Sequence, residues 1–322
     1  MKSLINVIKI VTLVMTVTIG IAQSAFACRE INVATNEALV SALQNTEVCD
    51  RINVAEGVYD LSELSPYSPI ELADQVKILG ETTTDTTIMN LPIAIHGYRI
   101  KLSDITISNF FRQDVSFVVS ESKFKSVHFK GNFSGIWGSR WKIEGDSNKV
   151  INSEVSDMKL EIIGNKNILR RTVIHPWLDR SGTLLPLIIT GDRNLVRNVT
   201  IVANAPIARG IWIAGSRNVI VNTIVQSVST TDQGNAVYIQ SGTRNKMDYS
   251  LIHFSGAQEI LAEAGAEIRV GNNIVRGDPL FANPDGSDFH LQAGSPAIDA
   301  GVPNQLDPDG TRSDVGAFYF PQ

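Results

Sequence analysis

Hydrophobic positions recur along this chain with a period of 19 to 27 residues. The repeat becomes visible when segments are aligned on a glycine that is followed three residues later by asparagine, as in Gly164 to Ile174. This period is typical of one coil of a β-solenoid, in which each coil buries its apolar face only against its neighbours. The aligned segments begin at Gly97, Val119, Gly145, Gly164, Gly191, Gly215, Gly242 and Gly265.

Two columns of this alignment are apolar in every copy, and we predict that both point into one continuous core. They lie five and ten residues after the start of each segment. The first column contains Leu102, Phe124, Val150, Leu169, Val196, Ile220, Met247 and Val270. The second contains Ile107, Phe129, Val155, Ile174, Ile201, Val225, Ile252 and Val275.

Asparagine recurs at two further positions, where it tolerates left-handed backbone angles and can bond along a stack of turns. We interpret both columns as structural. Each coil then consists of a strand, a glycine turn, a short strand, an asparagine corner, a strand and a variable loop such as Asn204 to Arg209. The two columns are Asn148, Asn167, Asn194, Asn218 and Asn245, then Asn152, Asn198, Asn222 and Asn272.

The ends of the chain complete the predicted organisation. Lys2 and Lys9, an apolar run and the Ala25-Phe26-Ala27 site are typical of a signal peptide, and no later stretch is expected to span a membrane. Residues 36–43 have the pattern of an amphipathic helix that covers the first coil. We predict a signal peptide at 1–27, a cap and first strands at 28–60, coils at 61–276 and a closing segment at 277–322. The fold class is all-β: a single-domain right-handed parallel β-helix (solenoid) with an N-terminal capping helix.

Charge and cysteine content limit the partners and the cellular compartment that we expect for this protein. Removal of the signal peptide changes the formal net charge from −5 to −7, which argues against nucleic acid as a partner. Cys28 and Cys49 are the two cysteines, and the simplest expectation is a disulfide in a secreted or periplasmic protein. The alternative is a lipoprotein anchored through Cys28, which would leave Cys49 unpaired. We expect a monomer.

Several segments carry a family resemblance. RINVAEGVYDL at 51–61, GDPLF at 277–281, DFHLQAGSPAIDAG at 288–301 and DPDGTRSDVGAF at 307–318 resemble secreted bacterial right-handed parallel β-helix repeat proteins of the pectate-lyase-like superfamily. The resemblance implies carbohydrate-active enzymes, chiefly polysaccharide lyases, beside many proteins without demonstrated chemistry. The chain lacks the Asp-His pair of pectate lyases, the adjacent aspartates of polygalacturonases, and the Glu-rich strand followed by Lys-Ser of chondroitinase-like and alginate lyases.

Two outward aromatic residues predict a sugar-binding surface. Trp212 and Tyr238 occupy the same strand position on neighbouring coils, with apolar residues on either side of each. Coils lie about 4.8 Å apart, close to the rise of one sugar unit, so the two rings would form a flat platform. The alternative is that a long loop covers both rings.

A row of cations lies two residues after the glycines of four consecutive coils. Such a row suits carboxylates or sulfates, which arginine binds in a forked geometry. The alternative is scattered surface charge, partly neutralised by Asp192. The row, called the cation row below, contains Lys166, Arg193, Arg217 and Arg244.

The favoured function is a polysaccharide lyase that cleaves an acidic glycan by β-elimination. Such an enzyme must neutralise a uronate carboxylate and remove the proton beside it. The alternative is a non-catalytic glycan-binding or cell-envelope protein; a glycoside hydrolase is a third hypothesis, with Glu144 and Glu161 as its carboxylate pair. The candidate catalytic residues are His175, Arg180, Arg209 and Tyr238. For His175 the alternative is a packed turn residue beside Pro176.

The C-terminal sequence raises the question of calcium. Asp307-Pro-Asp309-Gly310, with Asp314 further on, resembles a Ca²⁺ loop. The alternative is a turn that closes the last coil. No set of metal-ligating residues is predicted, so Ca²⁺ is the one cofactor considered.

Overall fold

The computed structural model describes residues 27–109, 114–131, 140–176, 182–231, 233–256 and 258–322. Its strands pair almost entirely in parallel and wind into a β-solenoid of about 10 turns. The described residues contain one α-helix, Asn36–Gln44, and one 3₁₀ turn, Pro284–Gly286. The predicted right-handed parallel β-helix with an N-terminal capping helix is confirmed.

Seventeen strands form the larger sheet, which turns a corner in each coil and therefore has two outer faces. Face 1 is the outer side of Glu30–Val33, Arg51–Val54, Lys77–Gly80, Lys149–Ile151, Val219–Val221, Asn245–Asp248 and Ile268–Val270. Face 2 is the outer side of Gly57–Asp60, Thr86–Met89, Glu154–Ser156, Ile224–Ser229, Ser250–Ser255 and Ile274–Arg276. Four long strands pass through the corner and belong to both: Lys101–Ser108, Lys123–Lys130, Ile168–His175 and Leu195–Ala205.

A second sheet of ten strands forms face 3. Strand Leu195–Ala205 runs almost directly into strand Ile207–Ala214, with Pro206 between them. The predicted loop at 204–209 is therefore mostly strand. The strands of face 3 are Ile70–Glu71, Ala94–Tyr98, Val115–Ser120, Arg140–Glu144, Lys159–Ile163, Thr183–Leu184, Leu187–Thr190, Ile207–Ala214, Asn235–Ser241 and Ile260–Ala262.

The first apolar column is confirmed along its whole length, because each of its residues is paired with the next from Leu102 to Val270. The second column is confirmed as far as Ile252. Its last member is wrong, since Val275 pairs with Leu251 and Arg276 lies opposite Ile252. The last coil has one extra residue at its corner, so Val275 packs against the C-terminal segment instead of the core.

The asparagine column at the glycine turn is a buried hydrogen-bonded ladder. The backbone N–H of Asn194 donates to the side-chain oxygen of Asn218 at 2.9 Å, and the Asn218 amide donates to the carbonyl of Gly191 at 3.0 Å. At the corners, Asn198 and Asn222 both have φ 50°. These observations support the structural interpretation of the first column, and of the second as far as Asn222. Asn272 is not left-handed, because the last coil has one extra residue at its corner.

The glycines of the turn are required by close packing between coils. Gly191 and Gly215 have φ of +127° and +150°, and a Cβ on either would overlap the carbonyl oxygen of the glycine one coil earlier. Only glycine accepts both the backbone angle and the approach. The glycine column contains Gly145, Gly164, Gly191, Gly215 and Gly242.

The N-terminal end is covered by the helix and tied by the disulfide. Thr35 caps the helix by accepting a hydrogen bond from the N–H of Ala38, and Leu39 and Leu43 are buried against the core. The predicted disulfide between Cys28 and Cys49 is confirmed, with 5.1 Å between the two Cα atoms.

The C-terminal residues 277–322, called the closing segment below, fold back over part of face 2. Phe281–Asn283 pairs antiparallel with Asp288–Leu291. Apolar side chains of this segment form a second core on the outer side of the solenoid. That core contains Phe281, Phe289, Leu291, Ala297 and Val315, packed with Val173, Val202, Ile224 and Leu251. Among the described residues no helix is long and apolar enough to cross a membrane.

Candidate active site

A groove of about 1080 Å³ lies on the part of face 2 that the closing segment leaves open. One end is bounded by the Thr83–Thr84 turn, where the Thr106 hydroxyl donates to the carbonyl of Thr83 at 2.6 Å. The other end is bounded by Ala317 and Phe318 of the closing segment. The groove therefore runs along the solenoid axis over several coils.

Two outward columns of face 2 meet at the groove: the first forms its floor, and the second contributes Lys130 to its lining and continues along its edge. In the first, Thr106, His128 and Glu154 are opposite one another on successive coils. In the second, Lys130 pairs with Ser156, and Ser156 pairs with His175. Because alternate residues of a strand point to the same side, both columns face outward together.

A chain of polar contacts joins these two columns. His175 Nε2 lies 2.7 Å from Glu154 Oε1, and His128 Nε2 lies 2.8 Å from Ser156 Oγ and 3.8 Å from Glu154 Oε1. The side chains of His175 and His128 are 14% and 23% exposed, and that of Glu154 is 40% exposed. Glu154 therefore sits between two imidazoles and remains open to the groove.

The burial of the cluster shifts two pKa values. Desolvation lowers the pKa of His128, and the opposing attraction of Glu154 does not compensate. Desolvation would raise the pKa of Glu154, but the hydrogen bond from His175 and the nearby His128 lower it below its usual value. Near neutral pH His128 is therefore a neutral imidazole and Glu154 is a carboxylate.

Two cations flank this cluster without neutralising partners. Lys130 and Arg171 both line the groove and are exposed. Neither makes an ion pair with any residue in the ranges that the structure describes. Arg171 stands at the corner between face 1 and face 2 with φ 49°. Both positive charges are available to an anionic ligand.

The structure confirms the register predicted for the aromatic pair, since Trp212 lies directly opposite Tyr238 on the neighbouring strand of face 3. Both rings are half-buried. The Arg209 guanidinium lies over the Tyr238 ring, 4.9 Å from its centroid, and the Tyr238 hydroxyl donates to Glu263 at 2.6 Å. That hydrogen bond raises the pKa of Tyr238, which disfavours its phenolate form.

The three candidate catalytic residues that the structure describes are distributed over two sites. Arg209 and Tyr238 are in contact on face 3. His175 lies on the larger sheet at the edge of the groove, and its ring centroid is 4.9 Å from that of Phe289. Arg180 lies outside the described residues. The catalytic roles assigned to them stay predictions.

The cation row occupies a regular turn. Its four residues have φ between 58° and 61°, are exposed, and make no ion pair within the described part of the chain. Successive backbones are hydrogen-bonded at this turn, as when the N–H of Arg193 donates to the carbonyl of Ser216 at 2.9 Å. The four charges are therefore in line along the solenoid.

The C-terminal aspartates are engaged with backbone donors. Asp314 accepts the N–H groups of Asp299 and Phe320, each at 2.7 Å, and Asp307 accepts that of Asp314 at 2.7 Å. Desolvation raises the pKa values of Asp307 and Asp314. Among the described residues no group of three acidic, histidine or cysteine side chains is arranged to hold a metal. Calcium binding by this loop stays a prediction.

His128, Lys130 and Glu154 were missed by motif reasoning because they match no known motif and Glu154 lies on the next coil. The repeat alignment held a usable signal. His128 and Glu154 both lie nine residues after the start of their segments. Later coils have Val173, Thr200, Ile224 and Leu251 at that position, which are apolar apart from Thr200. A change from polar to apolar residues within one outward column indicates where the surface is open.

The comparisons with known proteins agree with this architecture. The chain is similar to the pectate lyase Pel9A, with 12% identity, a TM-score of 0.52 and coverage of 92% of this chain and 97% of that one. A rhamnogalacturonan lyase is 11% identical, with a TM-score of 0.49 and coverage of 86% and 90%. A PL6-family alginate lyase, AlyGC, is 15% identical, with a TM-score of 0.48; the chain spans 40% of its length, over 72% of its own.

The similarity to Pel9A shows a pectate-lyase-like parallel β-helix fold. No protein-family model matches the chain, and no curated protein matches it in sequence.

Proposed function

We propose that this pectate-lyase-like β-helix cleaves an acidic polysaccharide by β-elimination, and that the groove on face 2 is its active site. One observation carries the proposal: a neutral, half-buried His128 stands beside an anchored carboxylate in an open groove with two unpaired cations. The structural neighbours named above are polysaccharide lyases, which supports this reaction class by analogy of fold.

Each chemical requirement of β-elimination has a residue in the groove. Lys130 and Arg171 would neutralise the uronate carboxylate, which makes the adjacent C–H bond more acidic. Neutral His128 has a nitrogen lone pair that accepts this proton. The electron pair of the broken C–H bond forms the new C=C bond, and the C–O bond to the leaving sugar breaks. The leaving oxygen takes a proton from solvent in the open groove.

Glu154 and His175 act through His128 in this scheme. Their 2.7 Å contact holds the Glu154 carboxylate at 3.8 Å from His128. A carboxylate at that position stabilises the imidazolium that forms when His128 accepts the proton. Both residues are therefore positioning residues. The reaction needs His128 in its neutral form, so we expect activity to fall as pH falls and the ring becomes protonated.

Non-catalytic glycan binding on face 3 is the second candidate function. The register of Trp212 with Tyr238 favours it, because two aromatic side chains on neighbouring coils provide apolar surface for sugar rings. The unpaired cation row on the adjoining turn adds charge complementarity to an acidic glycan. This function requires no residue of the groove.

The remaining predictions belong to the same proposal. The mature chain is exported to the cell exterior or periplasm, where its disulfide is stable, and it acts as a monomer. In this proposal, Ca²⁺ held by the aspartates of the 307–314 loop would assist binding of the carboxylated substrate.

The deciding experiment follows the ultraviolet absorbance of unsaturated uronate products. Mature protein is incubated with polygalacturonate, alginate and glycosaminoglycans, with and without Ca²⁺. We expect His128→Ala to lower kcat by about 10²–10⁴-fold, as for loss of a general base. The matched control is His96→Ala, because His96 is a surface histidine on face 3 paired with Glu71 at 2.7 Å.

Two outcomes contradict the proposal. If the wild-type protein forms no unsaturated product from any substrate but is retained on a glycan column, it is a binding protein. Loss of that retention in Trp212→Ala would then place binding on face 3. If product forms and His128→Ala is as active as His96→Ala, the active site lies elsewhere.

A further inference from the structure

Face 1 has a feature that the chemistry of the groove does not use. Its outward positions place cations directly opposite one another on successive coils. Arg51 pairs with Lys77, Lys77 with Lys101, Lys101 with Lys123, and Lys123 with Lys149. Five consecutive coils thus hold a positive charge in the same position of the sheet.

The next two coils continue this line two residues further along the strand. Arg170 follows Lys149 on the next coil, and Arg197 lies opposite Arg170 on the one after. All these side chains point to the same side, because they are an even number of residues apart along their strands. We call this set the cation track: Arg51, Lys77, Lys101, Lys123, Lys149, Arg170 and Arg197.

The track has almost no neutralising partners. Within the described ranges only Arg51 reaches an acid, Glu30, at 3.8 Å. On the face 1 strands between Lys77 and Arg197, the one acidic residue is Asp104, which lies at the corner with face 2. The pKa of Arg197 is lowered by desolvation and by the nearby Arg170 and Arg171, which agrees with an excess of positive charge.

This arrangement is electrostatically unfavourable in the isolated protein. Like charges directly opposite each other on neighbouring strands are destabilising. The whole chain is nevertheless net acidic, with a formal charge of −5. A line of seven cations, six of which have no acidic partner within the described ranges, is therefore not a result of general basicity. A bound polyanion would convert the repulsion along the track into attraction.

We infer that the cation track binds a second stretch of acidic polysaccharide, outside the groove. The choice of polymer rests on the proposed function. The coils are about 4.8 Å apart, so one charge per coil matches an extended polyuronate with one carboxylate per sugar. Duplex nucleic acid fits less well, because the phosphates of each strand follow a helix with about 3.4 Å of rise along the axis.

The position of the track suits a polymeric substrate. Face 1 meets face 2 at the corner residues Ser126, Asn152 and Arg171, which also line the groove. A chain bound along face 1 is therefore held beside the groove and parallel to it. Attachment at a second site raises the local concentration of the same polymer at the first.

The test compares two triple variants that lose the same charge. The track variant is Lys101→Gln/Lys123→Gln/Lys149→Gln. The control is Arg140→Gln/Lys142→Gln/Arg276→Gln, which removes three cations that lie outside face 1. Both are made in the His128→Ala background and applied to immobilised polygalacturonate and alginate. Retention is thus measured without turnover, and absence of lyase activity is detected in a separate assay.

The track variant should bind about tenfold more weakly, with each exposed ion pair contributing roughly a factor of two. The control should stay within about twofold of the parent. If the triple variant does not fold, Lys123→Gln alone should weaken binding about twofold.

Three results would overturn the inference: unchanged retention of a folded track variant, equal losses in both triple variants, or preference of the parent for single-stranded DNA over both glycans. A fourth is loss of retention in Lys166→Gln/Arg193→Gln/Arg217→Gln with full retention in the track variant, which would assign binding to the cation row.

Discussion

Face 2 consists of two halves with the same backbone and opposite chemistry. In the N-terminal half its outward column contains Thr87, Thr106, His128 and Glu154. In the C-terminal half the same column continues through Val173, Thr200, Ile224 and Leu251. The closing segment packs on the second half, and its Ala317 and Phe318 form the boundary at which the groove begins.

The difference shows that the outward residues decide what a coil does. Parallel pairing and the inward columns are the same in both halves, so they establish the solenoid. In the covered half, three apolar outward residues pack against the chain's own C-terminus, and Thr200 accepts a hydrogen bond from Ala317 of the same segment. In the other half, the polar outward residues leave the surface to a ligand. A substitution in one outward column should therefore affect stability in one half and function in the other.

The largest effect is expected when a charge enters the covered half. Leu251 is fully buried, so Leu251→Asp would bury a carboxylate without a partner and lower the free energy of unfolding by more than about 4 kcal/mol. The matched variant in the open half, Thr87→Asp, should change it by less than about 0.5 kcal/mol. Urea denaturation measures both, and similar losses would mean that the two halves are not distinct.

The second-largest loss of stability is expected from a substitution at the boundary between the two halves. Phe289 is 4% exposed and contacts both His175 and Phe281. Phe289→Ala should cost about 3 kcal/mol of stability through the cavity it leaves. It should also increase amide exchange in Ile168–His175, because His175 loses the ring that packs against it. Protection of that strand at the wild-type level would show that the closing segment does not support the groove.

The asparagine ladder tests what the halves have in common. Asn148 belongs to the open half and Asn218 to the covered half, and each is 1% exposed. Each accepts a backbone N–H and donates to a backbone carbonyl. Asn148→Ala and Asn218→Ala should therefore cost about the same, roughly 2 kcal/mol each, from buried groups left unpaired. Unequal melting-temperature shifts would indicate that the outer layer alters the interior.

The smallest effect is a pH dependence confined to the open half. The folded pKa of His128 is lowered by desolvation, so the unfolded chain takes up a proton that the folded chain does not. Neutral His128 therefore lowers the free energy of unfolding only at acidic pH. Above the unfolded pKa of about 6.5 the ring has no such effect, and the protein loses stability as pH falls through that value.

Amide exchange in Lys123–Lys130 should rise relative to that in Ile224–Ser229 as pH is lowered below about 6.5. His128→Gln should remove this difference. An equal response of the two strands in the wild-type protein would contradict the assignment to His128.

The inward-facing apolar columns could be predicted from the sequence because they repeat. Phe124, Val150 and Leu169 occur at one offset in successive segments, and a fixed offset in a solenoid is a stacked column. The error at Val275 came from one added corner residue, which the alignment could not place without the contacts of the closing segment.

The candidate site was harder to predict from the sequence, because it depends on which part of face 2 the closing segment leaves uncovered. His128, Glu154 and His175 match no motif, and their contacts cross three coils. Their accessibility is determined by where the closing segment stops, which is a contact between distant and non-repeating parts of the chain. The register of Trp212 with Tyr238 was predictable; that Arg209 lies over Tyr238 was not, because it depends on a side-chain rotamer.

The glycine column has a consequence for changing the length of this protein. Each glycine lies against the one before it with no space for a side chain. These contacts fix the position of every coil relative to the previous one at the glycine turn. Differences in coil length of up to eight residues are absorbed elsewhere and do not accumulate along the molecule. Added sequence should therefore be accommodated at the junction between faces 2 and 3, where foreign loops can be grafted without disturbing the alignment of the neighbouring coils.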